Sequence, residues 1–238
     1  MSLTNKKIIA IVPARRGSKR IPQKNVKHFY GKPIIKWPLE VLKQSKIIDE
    51  IIISTDCEDV ISISEEMGIK VPFLRPKELS DDITGTAAVI KHALEWYIQN
   101  KGNVDYVLTV YPTAVFLRNE DIIEAYEMIK NDENDIIFTG TEYAYPIQRA
   151  VFLDENKKVK MFEPKHMITR SQDLKKSYHD AGQFYFAKSS AVLSEISALS
   201  QLSSMIVLPR ERVFDIDTQE DFNLAEKMFK LQLKDNKF

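Results

Sequence analysis

Five cations, Arg15, Arg16, Lys19, Arg20 and Lys24, stand within ten residues directly behind an apolar run, Ile8 to Val12. Such crowding costs self-repulsion unless an anion sits among the side chains, and a polyphosphate meets that need. The loop holds one glycine, Gly17, and has neither the Gly-Lys-Ser/Thr ending of a P-loop nor the spaced glycines of a dinucleotide fingerprint. Phosphates would therefore be held mainly by charged side chains. That points to a triphosphate that is cleaved, its pyrophosphate neutralised by Arg15, Lys19 or Lys24. Near the other end of the chain, Asp215 and Asp217 are two apart, so in a strand their carboxylates share one face and Ile216 takes the other. Paired carboxylates repel unless a cation lies between them, and hard oxygen ligands beside phosphate suit Mg2+. The competing role for Asp217 is as an anion at a helix N-terminus.

In open α/β sheets, ligands bind at the carboxyl ends of the strands. Thr55-Asp56, Arg75, Tyr111 to Thr113 and Thr139 to Thr141 all stand at such ends and are expected to converge with the basic loop and the aspartates on one rim. Gln183 and Tyr185 share a strand face that suits sugar recognition. Arg149 and Arg170 could clamp a substrate carboxylate bidentately, with an exposed salt bridge the equal alternative for each. His179 reads first as a structural hydrogen-bonder, and Cys57 as a small core or rim residue.

The elements that must position these groups alternate. Ile8 to Val12 is a strand buried on both faces. A helix follows over Pro33 to Ser45, its regular part starting near Trp37 because of Pro38. A strand over Ile51 to Asp56, a helix over Glu58 to Met67 closed by Gly68, and a short strand over Val71 to Leu74 come next. The helix Ala87 to Gln99, strand Tyr106 to Tyr111, helix Asp121 to Lys130 with Asn119 as N-cap, and strand Asp135 to Gly140 complete a regular βα alternation, which implies a parallel sheet. Between about 141 and 188 the helical period disappears. Short strands over Tyr143 to Asp154, Lys157 to Phe162 and Gln183 to Ala187 form an inserted β-rich section. Ser189 to Leu199 returns to helix, Met205 to Leu208 and Val213 to Asp217 are strands, and Thr218 with Asp221 resembles a capping box for a C-terminal helix to about Leu233.

At 238 residues the chain suits one large domain. Lys+Arg and Asp+Glu both number 34, so no global field exists to hold nucleic acid. No apolar run reaches membrane length, and Met1 to Lys7 is polar with no long apolar stretch behind it. A single cysteine excludes an intrachain disulfide and a cysteine zinc cluster. The expectation is a cytoplasmic protein with neither nucleic-acid nor membrane partners.

Pro-Ala-Arg-Arg-Gly-Ser-Lys-Arg-Ile-Pro-Gln-Lys-Asn over 13–25, Ser54-Thr55-Asp56, Arg75-Pro76-Lys77-Glu78-Leu79-Ser80-Asp81-Asp82 and Asp215-Ile216-Asp217-Thr218 together resemble the CMP-sialic acid synthetase family, the cytidylyltransferases that activate nine-carbon acidic sugars. The resemblance covers nearly the whole chain. It implies an α/β fold of the nucleotide-diphospho-sugar transferase type: a Rossmann-like, mostly parallel sheet flanked by helices, with 141–188 as a small β-rich dimerisation insertion within a single domain. The implied reaction joins CTP and a nonulosonic acid into a CMP-sugar and pyrophosphate with Mg2+, by in-line attack of the anomeric hydroxyl and no covalent enzyme intermediate. In that frame Arg15 and Lys24 hold the triphosphate and stabilise charge on the α-phosphate. Ala14, Lys19, Asn25, Arg75 and Thr86 contact the nucleotide, Thr86 standing where the family often has serine, and Asp215 and Asp217 bind the metal. The inserted section would make a homodimer and reach the partner's site.

One departure is informative. Where the family's sialic acid enzymes carry Gln-Pro-Thr-Ser-Pro-Leu-Arg, this chain has Tyr111-Pro112-Thr113-Ala114-Val115-Phe116-Leu117, without the glutamine that helps position the sugar. Tyr145 to Ala150 and His179 to Tyr185 resemble the family's pseudaminic acid branch instead. Pseudaminic acid is the expected acceptor, with Tyr111, Thr113, Arg149, Arg170, His179, Gln183 and Tyr185 as its contacts. The alternatives are the same reaction on sialic, legionaminic or 3-deoxy-octulosonic acid, a non-catalytic nucleotide-binding protein, and a phosphohydrolase acting on a sugar phosphate.

Overall fold

The computed structural model describes residues 6–81, 83–131 and 133–234. In chain order its strands are β1 (Ile8–Pro13), β2 (His28–Phe29), β3 (Lys32–Pro33), β4 (Glu50–Ser54), β5 (Tyr106–Val110), β6 (Ile136–Glu142), β7 (Val151–Leu153), β8 (Val159–Met161), β9 (Tyr178–Lys188) and β10 (Ser203–Val207). The helices are α1 (Lys36–Gln44), α2 (Glu58–Glu66), α3 (Thr86–Lys101), α4 (Asn119–Ile129), α5 (Ser189–Leu193) and α6 (Gln219–Lys234). Six strands form the main sheet in the order β10-β6-β9-β5-β1-β4. It is mostly parallel and flanked by helices; β9 alone among these six runs antiparallel to its neighbours, β5 and β6.

The apolar run of β1 is buried on both sides because its alternating side chains feed two cores. Ile8, Ala10 and Val12 pack with Leu39, Val60 and Ile122 from α1, α2 and α4, whereas Ile9 and Ile11 pack with Ile90, Ala93 and Leu94 of α3. A third cluster is aromatic. Phe29, Phe116, Phe222 and Phe229 bring α6 onto the loop regions, with Phe29 edge-on to both Phe222 (5.4 Å) and Phe229 (5.3 Å), and Ile216 is buried among them.

Several elements depart from the sequence expectations. Val71 to Leu74 shrinks to a single parallel bridge between Thr55 and Leu74, since Pro72 removes a ladder donor. The helix over Ser189 to Leu199 stops at Leu193, and the chain turns away through Glu195 in the left-handed region (φ 53°). Asn119 is the first residue of α4, and the N-cap is the extended Arg118. Tyr143 to Asp154 is strand only over β7, which pairs with β8 as a hairpin, because Pro146 and a 3-10 turn over Ile147–Arg149 occupy the rest. Gln183 to Ala187 belongs to β9 at the centre of the main sheet. Between the basic loop and α1, a β2–β3 hairpin appears, its tip Tyr30 (φ 46°) and Gly31 (φ 89°) both left-handed as a tight primed turn requires. The capping box does form: Asp221 N donates to Thr218 Oγ1 (3.2 Å), and the Asp221 carboxylate accepts from Thr218 N (2.7 Å).

Val213 to Asp217 is extended but pairs in no strand of the described residues, a correction to the expected final strand. Side chains hold it instead. Arg212 is buried, pairs with Asp121 through Nη1 (3.2 Å to Oδ1) and Nη2, and donates to the Phe116 carbonyl (3.0 Å). The Arg212 carbonyl in turn accepts from Gln183 Nε2 at 2.6 Å. Arg212→Met should cost about 3–5 kcal/mol by leaving Asp121 buried and unpaired. Urea denaturation at neutral pH measures this directly, and a loss below about 1 kcal/mol would show that the pair does not hold the segment.

Candidate active site

The basic loop leaves β1 through Ala14, which is fully buried and whose N–H and carbonyl are already bonded to the Ser54 carbonyl (2.9 Å) and the Thr55 hydroxyl. Ala14 therefore launches the loop and does not line the site. Two further bonds fold the loop back over the sheet: Arg16 N donates to Asp56 Oδ1 (2.7 Å), and Asn25 Nδ2 donates to the Arg15 carbonyl (2.9 Å). Gln23, left-handed at φ 52°, turns the chain into the single 3-10 turn Lys24–Val26. The loop thereby encloses a cavity of about 470 Å³ at the carboxyl ends of β1 and β5.

Most of the expected nucleotide contacts do meet there. Arg15, Lys19, Lys24, Asn25, Arg75, Thr86, Tyr111 and Thr113 line the cavity, with Arg20 and Asp217 at its edge. Arg75 is anchored from beneath, its Nε donating to Ser54 Oγ (3.1 Å) and its main-chain N–H to the Thr55 carbonyl (2.8 Å). Burial lowers its pKa to about 10, against the pull of Asp56, so it keeps its charge at neutral pH. Arg15 donates to the Asp81 carbonyl and so ties the loop to the segment before α3. Lys24 Nζ donates to the Ile216 carbonyl (2.7 Å) and lies 3.2 Å from Asp217 Oδ1, while Arg20 lies 2.8 Å from Asp217 Oδ2.

Sequence reasoning missed Leu79, Asp81, Thr84 and Val89, which complete the wall. The available signal was Gly85 ahead of Thr86. As the N-cap of the 16-residue α3 it offers no side-chain bond to the first-turn amides of the helix.

Asp215 and Asp217 flank buried Ile216, and both lie close enough to Lys24 and Arg20 to feel their charge. Partial desolvation first, and then the Asp217 charge, raise the pKa of Asp215. No group of three or more His, Cys, Asp or Glu capable of holding a metal occurs among the described residues. Asp215 and Asp217, beside the cationic cavity, are the residues that could hold an ion that takes one or two carboxylates and fills its other positions with phosphate oxygens and water, the habit of Mg2+.

A second cavity of about 330 Å³ adjoins the first, lined mainly by apolar side chains such as Ile90, Ile136, Ala187, Ala191 and Val192. Thr86 and Tyr111 line both cavities, and the Tyr111 hydroxyl lies 3.5 Å from Thr86 Oγ1. Tyr185 faces the second cavity, edge-on to Tyr111 at 6.1 Å, and its hydroxyl donates to the Asp180 carboxylate, which also accepts from Gly182 N (2.7 Å). Burial pushes both phenols up, so both remain protonated.

The other expected acceptor contacts lie elsewhere. Gln183 is 3% exposed, donates to the Arg212 carbonyl and lines neither cavity, so it braces the acidic segment. His179 Nδ1 bonds the Asp180 carbonyl (2.8 Å) and its ring packs on Tyr143 (4.8 Å), a structural role. Arg149 donates to Ser171 Oγ (3.3 Å), and Arg170 forms an exposed ion pair with Asp173 (2.7 Å). Both stand on the 143–177 section and line neither cavity.

The family model described as cytidylyltransferase matches residues 9–236. The chain is 44% identical to a pseudaminic acid cytidylyltransferase of Campylobacter jejuni over 94% of its own length and 97% of that protein's. It is 28% identical to a CMP-N,N'-diacetyllegionaminic acid synthase of Legionella pneumophila, over 94% of this chain and 97% of that one. Among solved structures, a CMP:2-keto-3-deoxy-manno-octonic acid synthetase complexed with CTP shares the fold at a TM-score of 0.67, with 16% identity over 95% of this chain and 99% of the other.

The raised pKa of Asp215 has a stability signature. Its folded-state value lies above the unfolded one, so ionisation disfavours the native state at neutral pH, and the penalty vanishes below the ordinary carboxylate value. Asp215→Asn should therefore melt higher than the parent protein at pH 7, and the two should converge as pH falls to about 4. Solvent screening keeps the gain below about 1 kcal/mol. A lower melting temperature for the variant at pH 7 would contradict the repulsion.

Proposed function

The chain belongs to the cytidylyltransferase family, a class of nucleotidyltransferases, and from that premise we propose that it transfers CMP from CTP to the anomeric hydroxyl of pseudaminic acid, releasing pyrophosphate. The observation that carries the proposal is the pair of adjoining cavities, one cationic and one apolar, separated by Tyr111 and Thr86. The first suits a triphosphate and the second the acyl and methyl substituents of an acidic deoxy sugar. The anomeric oxygen, arriving beside Tyr111, attacks the α-phosphorus in line. A new P–O bond forms, the α–β phosphoanhydride breaks, the hydroxyl proton is released and pyrophosphate departs.

The chain's own contribution is positioning and charge. Arg15, Lys19 and Lys24 bear on the phosphates, and Lys24 is aimed by its bond to the Ile216 carbonyl. Arg75, charged and buried at the cavity floor, adds a fixed positive site. Tyr185, its hydroxyl committed as donor to Asp180, presents its ring and oxygen lone pairs to the acceptor side. Asp215 and Asp217 would hold Mg2+, which supplies charge neutralisation at the α-phosphate when bound.

The remaining parts of the proposal are a homodimer and a cytoplasmic setting. Val151, Leu153, Val159, Phe162, Met167 and Ile168 on and beside the β7–β8 hairpin are exposed, an apolar surface that a second copy of the chain would cover. Arg149 and Arg170 ride on this section and would then face the partner's acceptor cavity. Among the described residues no helix is long and apolar enough to cross a membrane, and CTP-dependent chemistry suits the cytoplasm.

The test is pyrophosphate release by the purified protein with CTP and Mg2+, run in parallel on pseudaminic, N-acetylneuraminic and legionaminic acids. Release with the first and little with the others is expected. Preference for another acid would overturn the acceptor assignment, and release with none would overturn the reaction. In the same assay Asp217→Asn should lower kcat by about 100-fold or more at an unchanged melting temperature; normal turnover would remove Asp217 from metal binding.

A further inference from the structure

Both carboxylate oxygens of Asp217 are taken by cations of the loop, Oδ1 by Lys24 at 3.2 Å and Oδ2 by Arg20 at 2.8 Å. Asp215, two residues away, makes no ion pair among the described residues, and its carboxyl is raised by partial burial and then by the Asp217 charge. The two pairs therefore load the acidic segment unequally. The two cations also differ in freedom. Lys24 is largely enclosed and tied to the Ile216 carbonyl, whereas the Arg20 side chain is 66% exposed on a loop whose main anchors lie at Arg16 and Asn25.

We infer that Arg20, helped by Lys24, stands in for a divalent cation on Asp217 while the nucleotide cavity is empty, so that a triphosphate must draw these side chains away before Asp217 can ligate metal. The lone pairs that accept the guanidinium are the ones a hard cation needs, at a metal–oxygen distance near 2.1 Å. Two full positive charges held within a few ångströms of a dication also oppose its entry. A triphosphate reverses the balance. It lies in the cavity that Arg20 and Lys24 already line, offers them several oxygens each, and brings its own metal partners. Arg20 is then a positioning residue that sets the order of events: the metal binds with or after the nucleotide, and free metal does not preload the site. This rests on the proposed reaction only for the identity of the triphosphate.

Mn2+ binding, followed by electron paramagnetic resonance of the free ion, tests the inference on the purified full chain. Without nucleotide, the parent protein should bind Mn2+ weakly, and Arg20→Ala should bind it roughly 5-fold or more tightly. Arg20→Gln, which keeps the side-chain volume, should do the same. Arg16→Ala removes one positive charge from the same loop without touching Asp217, so it should stay close to the parent protein. With α,β-methylene-CTP, whose α–β bridge cannot be cleaved, parent and Arg20→Ala should converge to within about twofold. Asp217→Asn should abolish the gain seen on removing Arg20, which places the ion. Equal Mn2+ affinity of the parent and Arg20 variants without nucleotide would overturn the inference, as would an equal gain from Arg16→Ala, which would reduce the effect to general field. Either result leaves the transferase reading standing, whereas absence of pyrophosphate release with every acceptor would sink that reading and leave the Mn2+ comparison intact.

Discussion

A buried ion pair, Arg212 with Asp121, is the constraint on which the site depends. Two charges removed from water are tolerable only when each keeps its partner, and this pair spans 91 residues of sequence, from the segment after β10 to the first turn of α4. The Phe116 and Arg212 carbonyls extend it into a small network with Gln183 at the centre of the sheet. The acidic segment has no strand ladder to hold it. It is located by this network at one end and by Ile216, set into the aromatic cluster of α6, at the other. With those two anchors and the Lys24 bond to the Ile216 carbonyl in place, Asp217 meets the cations of the basic loop.

The antiparallel strand does comparable work at the second cavity. In a parallel sheet only the carboxyl ends of strands reach the binding rim. β9 runs the other way between β5 and β6, so it is the beginning of that strand that arrives there, with Asp180 opposite Gly140 in the ladder. Tyr185, further along, stands opposite Thr109 and Phe138 and closes the second cavity. One reversed strand thus supplies residues that a purely parallel arrangement would have pointed at the far edge. Gly140 accepts this crossing because a side chain there would collide with Met205 and with the His179 carbonyl.

How much could be read in advance follows from how local each signal is. The cationic loop and the placement of Thr86 and Tyr111 at element ends are local properties of charge and spacing, and they hold; Arg75 reaches the cavity although the strand expected before it is a single bridge. The alternation of Val213 to Asp217 is equally local, but an extended segment pinned by side chains alternates as a paired strand does, so the pattern could not show that the ladder is absent. Gln183 illustrates the opposite limit. Its strand face is legible, but its partner is a carbonyl 29 residues away, and only the packed structure shows that the amide is spent on Arg212. The same holds for Thr84, on the segment before α3 that Arg15 holds through the Asp81 carbonyl, and for Val89 in the first turn of that helix.

The basic loop sits in a molecule whose formal charges cancel, 34 against 34. Beyond a Debye length, about 8 Å at physiological ionic strength, a nucleotide meets little net field from the whole chain, and long-range steering contributes little to its arrival. Inside that distance the four loop cations that line the cavity, Arg15, Lys19, Arg20 and Lys24, act together. The cavity is therefore a short-range trap: the encounter rate should be almost indifferent to salt, while the lifetime of the captured anion should shorten steeply as salt rises. Any small polyanion that fits the loop, pyrophosphate included, would compete for the same cations on the same terms.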